Sequence, residues 1–148
     1  MDSKEIFNWT AQAFSDWNSQ GIKLNKGTSF QIISDFESLL SFKFPQDFSE
    51  LYSKVNGFED FDWNEHMFSL WSLDRILKEY EEGDDTNYIG FCDFLINSHS
   101  IGFHKNDRNI YKHYNESEVI ADNFQGFILL LSRPSRSHKS FTMLSFSV

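Results

Sequence analysis

Apolar residues recur at helical spacing through the first third of the chain and at strand spacing after it. Ile6, Ala13 and Trp17 share one face of a segment from Ser3 to Asn18, with Phe7 and Phe14 beside it, and predict a first helix. Gly21 and Gly27 bracket a loop. Thr28 followed three residues on by Gln31 makes a capping-box pattern, which opens a second helix with Ile32, Phe36, Leu39 and Leu40 as its stripe. Phe48, Leu51, Tyr52 and Val55 fall at i, i+3, i+4 and i+7 and predict a third helix. Pro45 suits its first position, where a missing N–H costs nothing, and Asn56-Gly57 supplies a stop, since glycine accepts the left-handed conformation a helix end needs.

The period then shortens. Met67 to Trp71 predicts a strand, and Ser72 caps a fourth helix in which Leu73, Ile76, Leu77 and Tyr80 form the stripe and Gly83 the stop. Strand-like runs follow at Asn87–Phe91, Phe94–Ile96, Ser100–His104 and Asn109–Tyr114. The cluster Asn106-Asp107-Arg108-Asn109 forms a turn before the last of these, and Glu118–Ala121 adds a further short strand. Asp122 with Gln125 is a second capping-box pattern. Phe124, Phe127, Ile128 and Leu131 form the face of a last helix, which Pro134 ends. Residues Ser140–Val148 alternate, with a phase slip at Met143-Leu144, and fit either an added edge strand or a tail packed elsewhere. Helices, then strands, then a late helix predict an α+β fold with a central, mostly antiparallel sheet.

The length of 148 residues suits one domain spanning 1–148, and neither a repeat nor a linker divides it. Seventeen Phe, five Tyr and four Trp supply enough apolar area for a core and argue against disorder. Cys92 is the only cysteine, so no intramolecular disulfide forms, which fits a reducing compartment. With no apolar run of spanning length and no signal-peptide pattern, the expected location is the cytoplasm.

The net charge of −9 is unevenly placed. Ten acids lie between Phe58 and Asp85, against two bases, Arg75 and Lys78. Residues 133–148 form a basic tail with Arg133, Arg136 and Lys139. An acidic balance argues against nucleic acid and anionic membrane and favours a basic protein partner, beside the plainer role of keeping the surface soluble. Trp63 among Asp60, Asp62 and Glu65 is either a hot spot for such a partner or a side chain folded back on the core.

Candidate chemistry is sparse. His99, His104 and His113 are close in sequence, and a hairpin would make His104 and His113 neighbours, yet no CxxC, HExxH or His-carboxylate spacing accompanies them, so no metal is expected. Cys92 lies between aromatic residues and reads as a small buried residue rather than a nucleophile. The pairs Asp60/Asp62 and Asp84/Asp85 sit in polar segments and match no calcium loop. Walker, dinucleotide and nucleophile-elbow motifs are absent. Neither an enzyme nor a cofactor is expected.

An ordered set of segments resembles the SUKH superfamily, the Smi/Knr-like proteins. Phe44-Pro45 with Asp47, Tyr52, Asn56 and Gly57 is similar to the family's Pro-Asp-hydrophobic-Asn-Gly signature, with Ile32–Leu40 as the helix before it. Phe68 to Ile76 resembles its strand passing into a helix. Ile89–Phe94 followed by Ser100–Phe103 resembles its strand pair, and Val119–Phe127 its closing helix, with Asn123 where serine is usual. The resemblance covers residues 31–132. It implies a single SUKH-like domain in which N-terminal helices pack with a central sheet.

Many bacterial members are immunity proteins that bind and neutralise a toxin domain, often a nuclease, encoded nearby. Fungal members act in cell-wall signalling through protein contacts. The resemblance therefore implies an immunity protein acting by stoichiometric binding, with a non-enzymatic regulatory or scaffold protein as the alternative. An acidic patch could mimic phosphate in a basic nuclease cleft. The expected contact residues are Glu59, Asp60, Asp62, Trp63 and Glu65, then Glu79, Glu81, Glu82, Asp84 and Asp85.

Overall fold

A computed structural model describes residues 8–60, 62–64, 67–94, 99–107, 109–113 and 117–131. Asn8 opens helix α1 (Trp9–Ser19): its backbone is extended and its side chain accepts the Ala11 N–H at 3.1 Å. The helix buries Trp9, Thr10, Ala13 and Trp17, while Phe14 is exposed. The part of the expected first helix before Asn8 lies outside the described residues. The loop expected between Gly21 and Gly27 holds a short strand, β1 (Leu24–Lys26).

Helix α2 (Phe30–Leu40) is capped by Ser29, whose hydroxyl accepts the Ile32 N–H at 3.1 Å, one residue later than the expected Thr28. Its buried face is centred on Ile33 and Leu40. Ile32 and Leu39, expected in the stripe, are 45% and 60% exposed, and Phe36 packs only partly against the core.

Helix α3 (Gln46–Tyr52) has Pro45 at its N-cap and ends before the expected Val55. Val55 to Phe58 forms strand β2, antiparallel to β1. The i+7 match at Val55 was a coincidence of period: a buried strand residue also satisfies it. Gly57 does need a positive φ, +75°, but within β2 and not as a helix stop.

Strand β3 (Phe68–Leu70) leads into α4 (Leu73–Glu82), which Ser72 caps as expected. Then come β4 (Tyr88–Phe94), β5 (His99–His104), β6 (Ile110–His113) and β7 (Ser117–Ala121), and the five strands pair in the order β3-β4-β5-β6-β7, all antiparallel. The runs expected at Asn87–Phe91 and Phe94–Ile96 merge into β4. A register shift between Gly90 and Cys92 breaks the alternation that made them look separate. Helix α5 (Phe124–Leu131) starts after Asn123, whose side chain accepts the Gly126 N–H at 2.7 Å, so the cap is Asn123 and not Asp122. The expected stop at Pro134, the strand end at Ile96 and the tail Ser140–Val148 lie outside the described residues.

One face of this sheet carries Ile89, Phe91, Ile101 and Phe103 into the core. There Phe48 stacks on Phe44 at 3.9 Å and on Tyr52 at 4.1 Å, and meets Phe91, Phe103 and Phe124. The opposite face carries Tyr88, Gly90, Asp93, Ser100 and His113, as the pairings Gly90↔Gly102, Asp93↔Ser100 and Ser100↔His113 require. Helix α4 packs against β4 and α2.

Candidate functional site

The signature residues converge on the junction between β3 and α4. The Tyr52 hydroxyl donates to the Trp71 carbonyl at 2.6 Å, and the Asn56 side-chain oxygen accepts the Leu73 N–H at 2.8 Å. Gly57 passes so close that a Cβ there would lie 2.4 Å from the Trp71 carbonyl oxygen. Asp47 ties α3 to the start of α5, accepting the Gln125 N–H at 2.9 Å. These contacts set where Trp71 leaves the sheet and where α4 begins.

Trp71 then turns over the open face. A Cβ on Gly90 would stand 3.1 Å from its ring, so glycine there lets the indole lie against the strand. Arg75 stacks on the same indole at 4.6 Å, bonds the Asp93 carboxylate at 2.8 Å and reaches Glu79 at 3.5 Å. Asp93 is almost wholly buried, and burial raises its pKa; the Trp71 indole and the Arg75 guanidinium pull the other way. The Tyr88 hydroxyl is 2.8 Å from Ser100 Oγ, and burial pushes its pKa far up, so it stays neutral.

These side chains line a cavity of about 550 Å³ between the sheet and α4, with Tyr80, Asp84 and Asp85 at its edge. A second cavity of about 490 Å³ adjoins it across Arg75, Glu79 and Asp93, and reaches Asp60, Trp63 and Asp74. A third, of about 370 Å³, continues through Asp60 and Asp74 to Glu59, Asn25 and Asn56. The three share walls and make one run of concave surface.

The acids singled out from sequence divide accordingly. Glu59, Asp60, Trp63, Glu79, Asp84 and Asp85 line this surface. Asp62 accepts the Lys23 backbone N–H and so pins its loop to the chain after α1. Glu81 is exposed on α4, and Glu82 pairs with Lys78 at 3.4 Å on the outside of that helix. Glu65 lies outside the described residues. Trp63 is half-buried.

The histidines are not arranged as a hairpin pair. His104 lies opposite Tyr88 and His113 opposite Ser100, so the two are separated along the strands and flank Tyr88 from either side, at 5.8 and 4.4 Å. His104 stacks on Tyr111 at 3.8 Å. His99 is buried, and burial with nearby Lys112 lowers its pKa. Among the described residues no group of three His, Cys, Asp or Glu is placed to hold a metal ion. Cys92 is buried in the core, donates to the Asp93 carbonyl at 3.4 Å, and has its thiol pKa raised by burial, the reverse of what a nucleophile needs.

Sequence reasoning did not single out Trp71, Tyr88 or Asp93, and it counted Arg75 only as a charge. Trp71 reads as the last residue of a strand, and Asp93 as one acid inside an apolar run. The signal for Asp93 was that run itself: a carboxylate in a buried strand requires a partner.

Fold and surface together define an α+β domain whose five-stranded antiparallel sheet is packed on one face and concave and acidic beside the other. Residues 27–130 match the SMI1/KNR4 family (SUKH-1), and the chain belongs to that family. No curated protein matches the chain. Among the described residues no helix is long and apolar enough to cross a membrane.

Proposed function

We propose that this chain is an immunity protein of the cytoplasm, without catalytic activity of its own, that neutralises a cognate bacterial toxin by stoichiometric binding. The observation that carries this reading is the connected concave surface from Glu59 to Asp85, in which carboxylates outnumber cations, and membership of the SMI1/KNR4 family, for which the resemblance implies protein contacts, supports it. Its occupant is a basic protein surface. Acids on the rim would speed encounter with a nuclease cleft evolved for phosphate, and the half-buried Trp63 would contribute apolar contact. The buried thiol of Cys92 and the paired Asp93 support a non-catalytic role.

The test is co-expression with each open reading frame flanking the gene, scoring growth and co-purification. A neighbour that kills alone, yet is tolerated and co-purifies with this chain, supports the reading. Finding no toxic neighbour while a cellular partner co-purifies would replace it with the regulatory or scaffold role. Reversing Glu59, Asp60 and Glu79 together should then weaken the captured complex; unchanged affinity with an intact fold would remove the acidic surface from the mechanism.

A further inference from the structure

The cavity between α4 and the sheet holds three aromatic side chains, and two of them already carry a cation. Arg75 sits 4.6 Å over Trp71, and Lys105 sits 4.9 Å over Tyr80 while its ammonium bonds the Tyr80 hydroxyl at 2.8 Å. The third, Tyr88, carries no lysine or arginine among the described residues, and its ring meets His113 at 4.4 Å and His104 at 5.8 Å. Arg75 is committed to Asp93 and touches Glu79. Asp84 and Asp85, both exposed at the edge of the cavity, have no lysine or arginine partner among the described residues. The lining therefore has an excess of negative charge beside an aromatic ring.

We propose that this cavity is an anchor pocket for one arginine side chain of the protein partner. The inference rests on the protein-binding reading above and specifies its central contact. Arginine fits better than a metal ion. A calcium site needs six or more oxygens at about 2.3–2.6 Å, whereas these carboxylates line a volume of about 550 Å³ with no metal-holding group among the described residues. Arginine also fits better than lysine. Its planar guanidinium stacks on an aromatic ring and bonds two carboxylates at once, as Arg75 does here with Trp71, Asp93 and Glu79. The incoming side chain enters beside the Tyr88 and His113 rings, with its guanidinium toward Glu79, Asp84 and Asp85.

The probe is N-acetyl-L-arginine amide, titrated into the full chain and followed by amide NMR, with N-acetyl-L-citrulline amide as the uncharged isostere. Saturable shifts are expected at Gly90, Ser100 and His113, and at least about tenfold weaker binding of citrulline. Glu79→Gln with Asp84→Asn and Asp85→Asn should lose arginine binding by a similar factor while the remaining amide spectrum is kept. Should that variant not fold, Asp84→Asn with Asp85→Asn alone, both at exposed positions, must weaken binding measurably. Equal binding of citrulline, shifts confined to the Glu59–Trp63 region, or no saturable shift would each overturn the pocket. Because the probe needs no partner, pocket binding without a toxic neighbour would retain the pocket and discard the immunity role. A neutralised toxin with no arginine binding would do the reverse.

Discussion

The two faces of the five-stranded sheet are built on opposite rules. On the core face every inward position is apolar at the centre, and rings fill the space: Phe91 meets Phe103 at 5.0 Å and Phe124 at 5.2 Å, and Phe48 meets all three edge-on or tilted. On the other face the row Asp93, Ser100, His113 is polar, two glycines face each other at Gly90 and Gly102, and among the described residues Trp71 with Arg75 lies over it while α4 packs against β4. The first face stabilises the fold through buried area; the second gives up that area and keeps a cavity. The difference separates residues that hold the domain together from those that line the proposed contact surface.

The comparison is broken most severely from the core side. Phe48 is fully buried and touches five other aromatic rings. Phe48→Ala should cost about 3–5 kcal/mol, read from urea unfolding; a loss under about 1 kcal/mol would show that the core repacks freely and that its order is not specific. The junction comes next. Gly57→Ala combines a φ of +75° with a Cβ 2.4 Å from the Trp71 carbonyl, a backbone atom that cannot rotate away. Destabilisation of about 3 kcal/mol is expected, together with displaced NMR shifts at Trp71 and Arg75. If the fold weakens but those shifts stay, Gly57 serves β2 and not the placement of Trp71.

Much of this core was legible in the chain, because period and capping are local. Ser72, Gly83 and the stripe of α4 follow from a few neighbouring residues, as do the strand pair around Gly90 and Gly102 and the late helix. The errors arose where tertiary contact outranks local pattern. Val55 satisfied a helical period, but pairing with Lys26 made it a strand residue. Ile32 and Leu39 formed a plausible stripe, but α2 turns Ile33 and Leu40 inward. The candidate site was legible only at its rim. Charge runs revealed Glu59, Asp60, Glu79, Asp84 and Asp85, whereas Trp71, Tyr88 and Asp93 come together through strand register and the pairing of β3 with β4 across the intervening helix α4, which no local window contains.

A smaller effect lies at the boundary of the two faces. His99 is buried beside Lys112, and its folded pKa lies below the ordinary value of 6.5. The folded state therefore prefers the neutral imidazole, and the unfolded chain takes up the proton first as pH falls. The contribution of His99 to stability is full above pH 6.5 and is lost as pH falls from there through the lowered folded value. Unfolding midpoints from pH 7.5 to 5 should decline in the native chain and flatten in His99→Gln. Equal slopes in both would assign the decline to other groups.

The smallest effect expected is the most telling for the open face. Asp84 and Asp85 are exposed, and Glu79 is half-exposed with only a 3.5 Å contact to Arg75. Neutralising all three removes no buried contact and lowers the self-repulsion of a chain with net charge −9. Stability should stay within about 0.5 kcal/mol of the native value, with any shift toward greater stability. Chemical denaturation at low and high salt measures it, and the difference from the native chain should shrink as salt rises. A loss above about 1 kcal/mol would make these carboxylates part of the framework that holds α4 to the sheet. Near-neutral stability means that folding does not require this charge, which leaves solubility and the proposed partner contact as its roles, and arginine binding by the native chain against the neutralised variant separates the two.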